Sequence, residues 1–177
     1  MSLKHPFAMG ITRLRKEPAS VLGFELSGRM DDLRVASSCV GDDELIDVVG
    51  IAESVHGGIL ITATISAGWK GECRRCLGVA VGRLEISLRE LFEREETGAQ
   101  RFAEGDTYPY SGDVLDLQEM IKDQVLLELP LAPLCKGDCK GLCATCGKDL
   151  NLGPCGCGST PVDLGWSALD ALVDKDR

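Results

Sequence analysis

The sequence predicts an α+β fold: an N-terminal antiparallel β-sheet that curls toward a barrel or sandwich, one capped helix, and a cysteine-rich C-terminal segment. Three observations predict it. Apolar residues alternate with polar ones through the first half of the chain, a well-delimited helical stripe lies near residue 120, and six of the nine cysteines fall within residues 134–158. The 177 residues suit one domain with a small appendage. Hydrophobic residues make up 44% and aromatics 5%, so the core is expected to be aliphatic.

Taken in order, residues 21–26 (VLGFEL) form a short strand candidate, and residues 45–55 (LIDVVGIAESV) are rich in β-branched side chains. Gly57 and Gly58 supply a hairpin break. Residues 59–67 set Ile59, Ile61, Ala63, Ile65 and Ala67 against Leu60, Thr62, Thr64 and Ser66, a half-buried strand by its period of two. Residues 79–92 alternate again, with Val79 and Val81 out of step with Leu84, Ile86 and Leu88, which predicts a bulge near Gly82. The polar stretch 97–112 reads as a loop. A helix is expected over 117–129, with Asp116 as its cap, Glu119 completing a capping box, and Leu117, Met120, Ile121 and Val125 forming its apolar stripe. Pro130 stops it. The expected organisation is a β-rich domain with this helix over residues 1–133, a cysteine segment over 134–158, and a tail over 159–177 with a short helix from about 164 to 173.

Eight cysteines come in pairs: Cys73 and Cys76, Cys135 and Cys139, Cys143 and Cys146, Cys155 and Cys157; Cys39 stands alone. Two thiolates about a turn apart can hold one tetrahedral ion, and a glycine just beyond can take the left-handed conformation of a tight knuckle. GECRRCLG fits through Gly78 and CATCG through Gly147. The first knuckle falls between two strand candidates, at a hairpin tip. Four ligands per ion give two sites. One partition joins Cys143, Cys146, Cys155 and Cys157, leaving Cys73, Cys76, Cys135 and Cys139 to staple the hairpin to the segment after the helix. The rival joins Cys135, Cys139, Cys143 and Cys146. The first is preferred, because each knuckle keeps its own ion and the rival crowds two consecutive short loops around one.

The competing chemistries are thiol redox, which expects a helix after C-x-x-C where this chain has strand signals, and an iron–sulfur cluster, which also takes four thiolates. Zinc fits best, as two closed structural sites in a C-terminal zinc ribbon, with no coordination position left for a catalytic water. Lys136, Lys140, Lys148, Arg74 and Arg75 lie close enough in sequence to offset thiolate charge. His5 and His56 sit in no metal or nucleophile motif, and no nucleophile elbow, phosphate loop or metalloprotease helix occurs. Trp69 and Trp166 read as packing residues, and Cys39 as a small buried one.

A net charge of −9 argues against broad, sequence-independent binding to nucleic acid. The charge is uneven: residues 69–89 carry five bases against two acids, and residues 90–128 eleven acids against three bases. Lys70, Arg74, Arg75 and Arg83 therefore form a candidate basic patch for RNA or an acidic partner. No apolar run reaches the ~18 residues of a membrane span, and the N-terminus has no apolar signal core, so a cytoplasmic location is expected.

Three stretches together, ECRRCLGVAVG, DLQEMIKDQVLLELPLAPLC and CKGDCKGLCATCGKDLNLGPCGC, resemble the YceD family, with a weaker match at HPFAMGITRLRKEP. The resemblance implies a role in accumulation of large-subunit (23S) ribosomal RNA, with rRNA or ribosome-assembly proteins as partners, no enzymatic activity and no small-molecule substrate. Some members resemble this chain through the first knuckle and the ligands after Pro133 and lack the final cysteine tail, which supports the first partition. The alternatives are a thiol redox or metal-responsive switch, and a protein-interaction adaptor using the acidic face.

Overall fold

The structure, a computed structural model, describes residues 5–95 and 107–157. In chain order its elements are β1 (Ala8–Gly10), α1 (Thr12–Lys16), β2 (Val21–Gly28), β3 (Ser38–Cys39), β4 (Ile46–Val55), β5 (Gly58–Glu72), β6 (Val79–Arg94), β7 (Tyr108–Tyr110), β8 (Val114–Asp116) and α2 (Gln118–Glu128). This is a mixed α+β fold, mostly strands. Ile59, Ile61, Ala63, Ile65 and Ala67 of β5 all face the core, as their alternation requires. β5 is the centre of a sheet ordered β2-β4-β5-β6-β7, with β3 pairing β5 where β4 has ended. His56 and Gly57 form the two-residue turn from β4 to β5, and Gly57 takes the positive φ (94°) that this tight turn needs.

The sheet differs from the expectation in three ways. It stays open instead of curling toward a barrel, because its buried face is covered by other elements: Phe7, Met9, Ile11 and Leu14 from the N-terminal segment, and Leu117, Met120, Ile121 and Val125 from the α2 region, share one core with it. It is also not wholly antiparallel. Tyr108–Tyr110, expected as loop, runs parallel to Phe92, Glu93 and Arg94, and Tyr108 stacks on Phe92 with ring centroids 5.3 Å apart. Finally, β6 has no bulge near Gly82. The β5–β6 register runs unbroken from Gly58↔Glu93 to Glu72↔Val79. Ala80, Leu84, Ile86 and Leu88 are buried on one face, with Gly82 in step with them but itself exposed, whereas Val79 and Val81 are 77% and 71% exposed. The apparent slip arises because Gly82 lies opposite Trp69, whose indole fills the space: a Cβ on Gly82 would lie 2.7 Å from three ring atoms.

β1 and β8 form a second, two-stranded sheet that ties the N-terminus to the start of α2. Ile11 N–H donates to Asp113 O and Leu117 N–H to Phe7 O, and Arg15 pairs with Asp113. The cap of α2 is Leu117, one residue later than expected. Asp116 is held in β8, where its carboxylate accepts the Gln118 N–H (2.9 Å) and faces His5 Nε2 (2.7 Å); no capping-box bond from Glu119 is seen among the described residues. The expected helix over about 164–173 and most of the polar loop lie outside the described residues, as does Trp166. No helix of the described residues is long and apolar enough to cross a membrane.

Replacing Gly82 by valine is expected to displace Trp69 and destabilise the fold by about 1–3 kcal/mol, as overpacking does. Urea unfolding monitored by tryptophan emission checks this; an unchanged midpoint would contradict the packing.

Candidate metal centre

The β5–β6 hairpin ends in Cys73-Arg74-Arg75-Cys76, and its backbone closes on itself. Cys73 N–H donates to Gly78 O (2.7 Å) and Leu77 N–H to Cys73 O (2.9 Å). The left-handed residue is Leu77 (φ 60°), not Gly78 as the sequence suggested. At Cys143-Ala144-Thr145-Cys146 the same bonds recur. Cys143 N–H donates to Lys148 O and Gly147 N–H to Cys143 O, both at 2.9 Å, and Gly147 has φ 71°. The turn therefore asks for a positive φ at the residue directly after the second cysteine. Glycine meets that demand without strain, while Leu77 meets it with a side chain left 59% exposed.

The sulfurs gather into two groups, Cys73, Cys76, Cys135 and Cys139, and Cys143, Cys146, Cys155 and Cys157, each with its four sulfurs within 4.8 Å of one another. This is the first of the two partitions. Cys73 and Cys139 sulfurs lie 3.8 Å apart and Cys76 and Cys135 sulfurs 3.6 Å. A disulfide needs ~2.05 Å, whereas a tetrahedral ion at ~2.3 Å from each sulfur sets them about 3.8 Å apart. The donor set and spacing fit a four-coordinate metal ion with an affinity for thiolate. Cys39 belongs to neither group; it is buried in β3.

The first group is built into the body of the protein. Cys73 and Cys139 are buried with Ala80 and packed by Trp69 and Leu134. Around it, Ser38 Oγ donates to Pro130 O (2.8 Å), Arg74 N–H to Pro133 O (2.9 Å) and Arg75 Nη1 to Cys139 O (2.8 Å). The second group is more open and rests on turns, with Lys148 Nζ donating to Pro154 O (3.0 Å). Among the described residues of this tail, the single bridge is Leu142↔Asp149, so the paired strands expected of a ribbon are not seen there. Knuckle turns and side-chain bonds direct its glycine-rich chain instead.

Four clustered thiols cannot all ionise without a cation, and their titration is divided accordingly. Cys73 is lowered to about 6, first by a hydrogen bond from the Cys135 backbone. Cys143 is lowered to about 6, first by the Cys146 N–H. Cys139 is lowered, first by the Asn151 side chain. Cys135 is pushed up to about 12, first by lost hydration among its neighbours, and Cys157 to about 12, first by its bond with Cys146. A dication held by the four sulfurs would remove this conflict.

Of the candidate contacts, Lys70, Arg74, Arg75 and Arg83 are all exposed around the first knuckle. Arg75 is also a structural residue, since its guanidinium holds the Cys139 carbonyl. Sequence reasoning missed that role, and it missed Asn151, whose Nδ2 donates to Cys139 Sγ at 3.4 Å. Neither has a spacing signal, because each acts across a fold contact.

The family model described as large ribosomal RNA subunit accumulation protein YceD matches residues 61–173, which include both cysteine groups. A Mycobacterium tuberculosis protein described as uncharacterized is 35% identical over 97% of this chain and 83% of its own length. The Bacillus subtilis protein YlbN is 25% identical over 94% of this chain and 96% of its own. The Arabidopsis thaliana chloroplast protein described as large ribosomal RNA subunit accumulation protein YCED homolog 1 is 35% identical over 38% of this chain and 21% of its own. No solved structure matches the chain.

Replacing Arg75 by alanine removes a charge-assisted bond and is expected to loosen residues 135–142 from the hairpin, at a cost of about 1–3 kcal/mol. Faster limited proteolysis in this segment checks it; an unchanged cleavage rate would contradict the clamp.

Proposed function

The chain belongs to the YceD family, and from that premise we propose that it is a non-enzymatic, zinc-binding protein acting in the synthesis, processing or stability of large-subunit (23S) ribosomal RNA. The observation that carries this reading is the family match across both cysteine groups. The chloroplast relatives described as large ribosomal RNA subunit accumulation proteins support it. The proposed location is cytoplasmic, with rRNA or ribosome-assembly proteins as partners and neither a membrane nor a small-molecule substrate.

Two structural zinc ions are proposed, one held by Cys73, Cys76, Cys135 and Cys139 and one by Cys143, Cys146, Cys155 and Cys157. Bound zinc would supply folding free energy, since the donors meet as a site only in the folded chain. The chain's own residues do the rest. The first group fixes the hairpin tip, and with it the direction in which Lys70, Arg74 and Arg83 project. Those three are the proposed contacts to phosphate or to an acidic protein face. Arg75 is a poorer probe of such contact, because its loss also disturbs the hairpin tie.

Two outcomes are expected. Purified protein should hold two equivalents of zinc by elemental analysis, and Cys73→Ser should retain about one; metal-free protein that readily forms disulfides would favour a thiol switch instead. In cells lacking the gene, mature large-subunit rRNA should fall, and an Arg74→Glu, Arg83→Glu variant should fail to restore it while keeping its zinc. Normal rRNA in the deletion strain would overturn the proposal.

A further inference from the structure

The two cysteine groups are joined by a side chain as well as by the backbone. Asn151 lies in the loop between Cys146 and Cys155, so it belongs to the segment that the second group closes. That loop has left-handed glycines near both ends, Gly147 (φ 71°) and Gly153 (φ 136°), and Lys148 clamps it through Pro154 O. Its amide nevertheless faces the first group. Nδ2 donates to Cys139 Sγ at 3.4 Å, and Oδ1 accepts the Lys140 N–H at 2.9 Å. The amide is aimed by Asp149, whose Oδ1 accepts from Asn151 N–H (2.8 Å) and from Nδ2 (2.7 Å). Both Nδ2 hydrogens can thus be occupied, one on the carboxylate and one on the sulfur. The backbone continues the contact: Leu150 N–H donates to Gly141 O and Leu142 N–H to Arg75 O, so the loop is laid against the first knuckle's ligand segment.

We infer that Asn151 is a positioning residue that couples the two cysteine groups: closure of the second group about its ion orders the 147–154 loop, which holds the Asn151 amide on Cys139 and raises the affinity of the first group for its own ion. The inference rests on the metal-binding reading proposed above. Four thiolates around a dication leave a net charge of −2, and an N–H donor to one sulfur disperses part of it. The second group holds the donor and the first holds the acceptor, so neither completes the bond alone. Linkage then requires reciprocity, and filling the first group must raise the second group's affinity by the same factor.

The test uses the full chain loaded with cadmium-113, whose two resonances report the groups separately, and chelator competition for the affinities. Asn151→Asp keeps an oxygen for the Lys140 N–H and replaces the donor with an anionic oxygen. Asn151→Ala removes both. Each is expected to shift the first group's resonance, leave the second's in place, and weaken the first group's affinity roughly tenfold, the lower end for loss of an outer-shell partner. Cys155→Ser with Cys157→Ser abolishes the second site and should weaken the first by the same factor. Adding Asn151→Asp to that pair should then cost little more, because both act through one contact. Unchanged amide exchange in β4 to β6 confirms that the sheet is intact. Two ions bound with unaltered first-group affinity in Asn151→Asp would overturn the coupling alone; parent protein that binds no ion at either group would overturn the metal reading and the coupling with it.

Discussion

The constraint on which the structure turns is the meeting of the β5–β6 hairpin tip with the segment that follows α2. Cys76 and Cys135 are 59 residues apart in sequence and Cys73 and Cys139 66, yet their sulfurs lie 3.6 and 3.8 Å apart. Closing a loop of that length is entropically unfavourable but only weakly dependent on length. The elements inside the loop do much of the closing. β7 pairs with β6, and α2 packs Met120, Ile121 and Val125 against the sheet. Pro130 then emerges beside Ser38 and Pro133 beside Arg74, so Cys135 and Cys139 arrive already aligned. The second cysteine group rests on this arrangement, since its loop is laid against residues 139–141.

The same construction explains why a basic patch and a cysteine site coincide. Arg74 and Arg75 lie between Cys73 and Cys76, so the turn that brings these two sulfurs to the hairpin tip carries both arginines there with them. The structure divides their work. Arg75 turns to the Cys139 carbonyl and Arg74 gives its backbone N–H to Pro133, so Arg74's side chain projects outward with Lys70 and Arg83. The acidic run over residues 90–128 is similarly divided. Glu90 accepts from Gln124, and Asp123 accepts the Tyr108 hydroxyl, whose pKa is pushed up to about 12 by burial and then by that carboxylate. Part of the acidic stretch therefore holds α2 to the β6–β7 edge.

Legibility followed the range of the interactions. The inward row of β5 and the apolar stripe of α2 were readable because side-chain period reports burial directly. β7 and the N-terminal β1–α1 segment were not. A three-residue strand has no period to detect, and its pairing is set by a neighbour distant in sequence. The bulge at Gly82 was misread because period alone cannot distinguish an inserted residue from a glycine that makes room for an opposing ring.

The sequence by itself determined the sheet's central strands, the helix, and the grouping of eight cysteines into adjacent pairs, since each rests on residues within a few positions of one another. Which pair meets which could be argued from spacing and resemblance but was decided only by the tertiary structure, because the distance between Cys76 and Cys135 depends on everything folded between them. The roles of Arg75 and Asn151 belong to the same class. Each acts by a hydrogen bond across two segments that the chain alone does not bring together.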